Sequence, residues 1–197
     1  DDRRGALLDA TVLMQEYCDI IDDIVDGDVA KGREEHTLAV SQFLLPLLVG
    51  RLNDLGHDAV AYWTRRLPDL NRALLLEARK SPSAETYIEI LGAQSRLFSI
   101  PTGLAAVAAD CDEATVERSE RIGSLVYRYA QVALDIDQHG PDTDEAWNAS
   151  ALFGREGALD RLEEYADRLD TLLDPLPDEH ARLIATALAV DTDAWER

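Results

Sequence analysis

Apolar residues recur along the chain at spacings of three and four, and strict alternation never persists, so the pattern predicts helices and no sheet. Leu7, Ala10, Met14, Tyr17, Ile21 and Ile24 mark a first helix that ends near Gly27. A second spans 34–55, is closed by Gly56 and carries Pro46, which is expected to kink it. A third covers 58–80. Ser81 as cap and Pro82 as first helical residue predict the start of a fourth, which runs to Ile100 and breaks at Pro101. A fifth extends over 112–138 through Ile122, Val126, Tyr129 and Ala133, and His139-Gly-Pro-Asp-Thr-Asp is the clearest loop. Two more are expected over 144–173, with a weak point at Gly154, and over 178–190. No repeat, low-complexity tract or long linker divides the chain, so the expectation is a single all-α domain over residues 1–197.

Composition narrows the function. At 46% hydrophobic residues the 197-residue chain can form one core, burying about 70% of its unfolded surface. With 39 acidic and 19 basic residues its formal charge is −20, which repels nucleic-acid phosphates and anionic membranes; nucleic-acid binding is excluded as a class. Lys31 and Lys80 are the only lysines. An acid-rich, lysine-poor surface is that of a halophilic protein, since molar salt shortens the screening length to about 3 Å and mutes self-repulsion. Cys18 and Cys111 are too few for a disulfide framework or a four-ligand metal site. No apolar run approaches transmembrane length, and Asp-Asp-Arg-Arg is no signal peptide, so a cytoplasmic protein with no transmembrane segment is expected, with residues preceding Asp1.

The densest chemistry lies in Asp19-Ile-Ile-Asp22-Asp23-Ile-Val-Asp26-Gly-Asp28. At about 100° per residue, Asp19, Asp22, Asp23 and Asp26 share one sector of the helix, opposite Leu13, Tyr17, Ile20, Ile21 and Ile24. Like charges three and four apart destabilise a helix, the more so near its negative end, so these residues need compensation. One reading is a solvated face kept acidic by salt adaptation. The other is a divalent-cation site, because Mg²⁺ is held by one or two carboxylates while water and substrate phosphates fill its remaining positions. Lys31 and Arg33 follow directly and would meet an anion carried by the metal.

These residues resemble the first aspartate-rich motif, D-D-x-x-D, of the trans-isoprenyl diphosphate synthases, the polyprenyl synthetase family of the isoprenoid synthase fold. Asp22-Asp23-Ile24-Val25-Asp26 matches the motif, and Ala30-Lys31-Gly32 stands where the family has Arg-Arg-Gly. Glu85 through Phe98, with Gln94-Ser95, resembles the helix bearing the family's Lys-Thr pair. Ile122 through Gln138, with Gln131 and Asp135, resembles the helix of the second motif, and Gly154-Arg-Glu-Gly157-Ala158 the Gly-x-x-Gly-Ala step after it. The similarity spans about residues 7–170 in order.

The resemblance implies a helical bundle around a central cavity and a Mg²⁺-dependent condensation of isopentenyl diphosphate with an allylic diphosphate. Departing diphosphate would be stabilised by metal and cations. By resemblance Asp22, Asp23, Asp26 and Asp135 would ligate Mg²⁺, Lys31 would bind diphosphate, and Gln94, Ser95 and Gln131 would meet substrate. Tyr17, with Cys18 beside it, occupies the position that limits chain length, implying a product of about C15–C20; the alternative is that Tyr17 is ordinary core. Homodimers, or heterodimers with a complete synthase, are implied as well.

The chain departs from the pattern in the parts that hold metal and the second substrate. Leu134, Asp135 and Gln138 stand on the three aspartates of the second motif, Gln94 replaces the lysine, and the upstream Gly-Lys-x-x-Arg is absent. Two functions therefore stand side by side: a short-chain prenyltransferase, and a non-catalytic, subunit-type homologue of a polyprenyl synthase.

Overall fold

A computed structural model describes residues 2–76, 81–139 and 146–177, without the side chains of residues 2, 26, 73 and 74. Seven helical segments account for nearly all of them: α1 (Asp2–Asp26), α2 (Glu34–Leu55), α3 (His57–Leu74), α4 (Ala84–Gln94), α5 (Arg96–Ala108), α6 (Glu113–Gln138) and α7 (Ala149–Leu173). There is no strand among the described residues, so the all-α expectation holds.

Helices α1 and α2 form an antiparallel hairpin. Gly27, at φ +80°, ends α1 in the left-handed conformation, and its N–H and that of Asp28 both bond the Asp23 carbonyl. Arg3 then reaches the Leu55 carbonyl at 3.0 Å, tying the start of α1 to the end of α2. Met14, Cys18, Leu48, Leu52, Leu70 and Ile100 bury a first core between α1, α2, α3 and α5. A second, built on Leu91, Leu125, Val132, Ile136, Ala158 and Leu162, lies between α4, α6 and α7.

The α5–α6 contact joins the two cores and requires glycine. A Cβ on Gly123 would sit 2.5 Å from the Phe98 carbonyl oxygen, and one on Gly103 would strike the Tyr62 hydroxyl and lie 2.7 Å from Glu120 Cγ. Beside this crossing the Tyr62 hydroxyl and the Arg66 guanidinium both donate to Glu120 Oε1 at 2.7 Å, fixing α3 to α6.

Several boundaries differ from the expectations. The cap of α4 is Ser83, extended at φ −159°, whose hydroxyl accepts from the Thr86 N–H; Ser81 and Pro82 precede the helix. The chain bends at Ser95, not at Pro101, which lies inside α5. A proline clashes with the carbonyl four residues earlier, here Leu97, so its effect falls upstream of the ring. Helix α2 runs uninterrupted through Pro46. The last described helix starts at Ala149, after the cap Asn148, and bends at Gly154 (φ +75°) as expected. Helix α3 ends at Leu74, in a turn at 75–76, short of the expected end at 80. The tip of the expected 139–144 loop and the predicted 178–190 helix lie outside the described residues.

Candidate site at the end of α1

The last turns of α1 carry Asp19, Asp22 and Asp23 into solvent, all three exposed, and Gln15 donates to Asp19 Oδ1 at 2.8 Å. The Asp26 side chain is outside the described set. Asp22 borders a small pocket of about 190 Å³. Tyr87 and Gln94 on α4, Tyr127 and Gln131 on α6, and Trp147 before α7 face it across the pocket. The Tyr127 hydroxyl reaches Gln94 Oε1 at 3.3 Å. Three of the residues singled out from sequence, Asp22, Gln94 and Gln131, are thus brought to one place.

The others are not. Lys31 is exposed in the turn closed by the Arg33 N–H on the Ala30 carbonyl, and does not border the pocket. Tyr17 and Cys18 are core residues, 9% and 1% exposed, packed between α1, α2, α3 and α5. Burial, reinforced by the charges of Asp19 and Asp22, pushes the Cys18 thiol up to about 12. Ser95 is buried, donates to the Gly92 carbonyl and pairs with Ser124 at 2.7 Å, facing away from the Asp22 pocket.

Asp135 is 4% exposed, and its oxygens are occupied from within the protein. Oδ2 accepts from the Tyr87 hydroxyl and from the Ala149 N–H, each at 2.7 Å, and Oδ1 accepts from Gln131 Nε2 at 2.9 Å. Ala149 is the first residue of α7, so the carboxylate sits on the positive end of that helix and satisfies a donor with no partner inside it. Asn148 closes the clasp in return, donating to the Asp135 carbonyl at 2.8 Å while its Oδ1 caps Ser150. Burial and the adjacent Asp135 charge push the Tyr87 hydroxyl far up, so it stays protonated and donates. Leu134 beside it is 45% exposed.

This donor set does not fit a cluster of Mg²⁺ ions clamped between two acid-bearing helices. Opposite Asp22 stand two carboxamides, and the one carboxylate of α6 on that side spends its lone pairs on α4, α6 and α7. Among the described residues no three His, Cys, Asp or Glu side chains converge on a metal-sized site. At about 190 Å³ the pocket is also below the 300–1,000 Å³ usual for small-molecule sites.

Tyr87, Tyr127 and Trp147 escaped the sequence analysis as pocket residues. A signal existed, since Tyr87, Ile90, Leu91 and Gln94 follow i, i+3, i+4, i+7 spacing on α4, and Tyr127 and Gln131 are four apart on α6. Nothing local marks Asp135 as the partner of Tyr87, which is 48 residues away.

Away from the pocket, the outer face of the α1–α2 hairpin is apolar. Leu8, Val12, Phe43 and Leu47 are 57–71% exposed, and Val12 and Leu47 line, with Leu13, Pro46 and Gly50, a groove of about 620 Å³. By length and mean hydropathy α2 meets the minimum for crossing a membrane, weakly, with 22% of its apolar window buried. Comparison with protein-family models, curated proteins and solved structures finds no match to this chain.

Proposed function

We propose that the protein is a non-catalytic, subunit-type relative of the polyprenyl synthases: an isoprenoid synthase-type bundle that pairs with a second helical chain through the outer face of α1 and α2. The observation that carries this reading is the Asp135 clasp. A carboxylate that holds two helix junctions together is not available to a metal, and the Gln94 and Gln131 carboxamides supply no charge in its place. The exposed stripe of Leu8, Val12, Phe43 and Leu47 supports the pairing, because soluble proteins rarely leave such a patch uncovered. A second chain suits it better than a lipid surface: Asp9, Arg51 and Asp54 rim the groove, and the net charge of −20 opposes an anionic bilayer.

The test is sedimentation of the native chain, alone and mixed with a complete polyprenyl synthase, together with incorporation of isopentenyl diphosphate in Mg²⁺. Expected are a dimer or heterodimer, its loss in Phe43→Asp, and no turnover by the chain alone. Turnover by the isolated chain that is abolished by Asp22→Ala would reject this reading for the prenyltransferase one, which draws on the meeting of Asp22, Gln94 and Gln131 at one pocket.

A further inference from the structure

Four arginines of this acidic protein line a cleft that shares no wall residue with the Asp22 pocket. It has a volume of about 530 Å³ and lies between the α4–α5 bend, the first half of α6 and the end of α7. Arg96, Arg121, Arg128 and Arg168 line it, against one carboxylate, Glu120. That carboxylate already accepts from Arg66 and Tyr62 through Oε1. In a chain with 39 acids to 19 bases, such a cleft runs against the composition.

The arginines divide by position. Arg121 and Arg168, at the mouth, make exposed pairs with Glu117 and Glu164 at 3.9 and 3.3 Å, the kind that contributes little. Arg96 and Arg128 are half-buried in the walls, and among the described residues neither has a carboxylate within ion-pair distance. Arg128 Nε is buried with no hydrogen-bond partner. Its guanidinium lies over Gly92, where a Cβ would come within 3.3 Å of Nη2. The hydroxyls nearby are engaged with other groups: Ser95 donates to the Gly92 carbonyl and pairs with Ser124, and Thr171 donates to the Asp167 carbonyl. The buried polar atom of the cleft without a partner is thus Arg128 Nε, a guanidinium N–H that calls for an acceptor that carries charge.

We infer that this cleft binds a small phosphate monoester. Two unpaired guanidiniums match a phosphate of charge about −1.5 to −2, whose oxygens take their forked donors in pairs. The cleft is in the size range of organic ligands, not of a bare ion, and Leu125 and Leu172 offer its organic part an apolar wall. This site is independent of the subunit-type reading, since it uses neither the Asp22 pocket nor the α1–α2 face.

The probe is phenyl phosphate, titrated calorimetrically into the full chain at constant ionic strength, with benzoate as the monovalent control. Saturable one-to-one binding is expected, with Kd below about 1 mM and benzoate at least about tenfold weaker. Arg128→Gln should weaken it by at least about tenfold, as should Arg96→Gln at the start of α5, which carries the test if the first variant does not fold. Arg118→Gln makes the same charge change on the exposed side of α6 and should leave binding within about twofold. No saturation by about 10 mM phenyl phosphate, or an equal loss in Arg118→Gln and Arg128→Gln, would overturn the inference.

Discussion

Replacing Asp135 by leucine separates a structural carboxylate from a metal ligand. Leucine is close to aspartate in shape but accepts nothing, so it strands the Tyr87 hydroxyl and the Ala149 N–H, both buried, while half-buried Gln131 can turn to water. Each stranded donor costs about 1–3 kcal/mol, roughly 4 for the two. Relief from burying a carboxylate returns part of this, leaving about 3 kcal/mol. For a domain of this size that lowers Tm by roughly 6–12 °C, measured by calorimetry in EDTA and high potassium chloride. Tyr87→Phe alone should cost about 1 kcal/mol, but in the Asp135→Leu background it removes a stranded hydroxyl, so the double variant should lose about 2–4 kcal/mol less than the sum. A carboxylate kept for metal behaves oppositely: without metal its removal relieves repulsion and stability holds or rises. Melting of Asp135→Leu within about 2 °C of the native chain in EDTA, or additivity with Tyr87→Phe, would refute the clasp.

Gly123→Ala places a methyl against the Phe98 carbonyl, a backbone group that cannot swing aside, and should cost at least about 2–3 kcal/mol in urea unfolding; a loss below about 0.5 would show that α5 and α6 are not in this contact. Iodoacetamide on the native chain should modify exposed Cys111 and spare Cys18, with the second equivalent taken up only after denaturation. Because the folded Cys18 thiol is pushed from 9.0 up to about 12, the unfolded thiol ionises first: its contribution to stability is complete below pH 9 and is lost as pH rises towards 12. A Cys18→Ala variant should therefore show a flatter decline in stability between those pH values; an identical decline would rule out this thiol as its source.

The helices were legible in the pattern of residues because period and capping are local: the spacing of Leu7, Ala10, Met14 and Tyr17, the Gly27 and Gly56 stops and the Gly154 bend all act within a few residues of chain. The α4 cap was misplaced because Ser81 and Ser83 are both competent, and only backbone geometry selects one. What Asp135 does was not legible. Spacing places it on a polar helix face, where a metal ligand and a helix clasp look alike, and the difference lies in Tyr87 and Ala149, which reach it from α4 and α7. The same holds for Tyr17, whose stripe position served core and substrate equally until four helices closed around it. The arginine cleft is a third case: Arg96, Arg128 and Arg168 are far apart in sequence and meet only through packing. Local interactions decide where helices begin and end, but which side chains share a low-dielectric space depends on contacts between residues dozens of positions apart, and that space gives a carboxylate or a guanidinium its role.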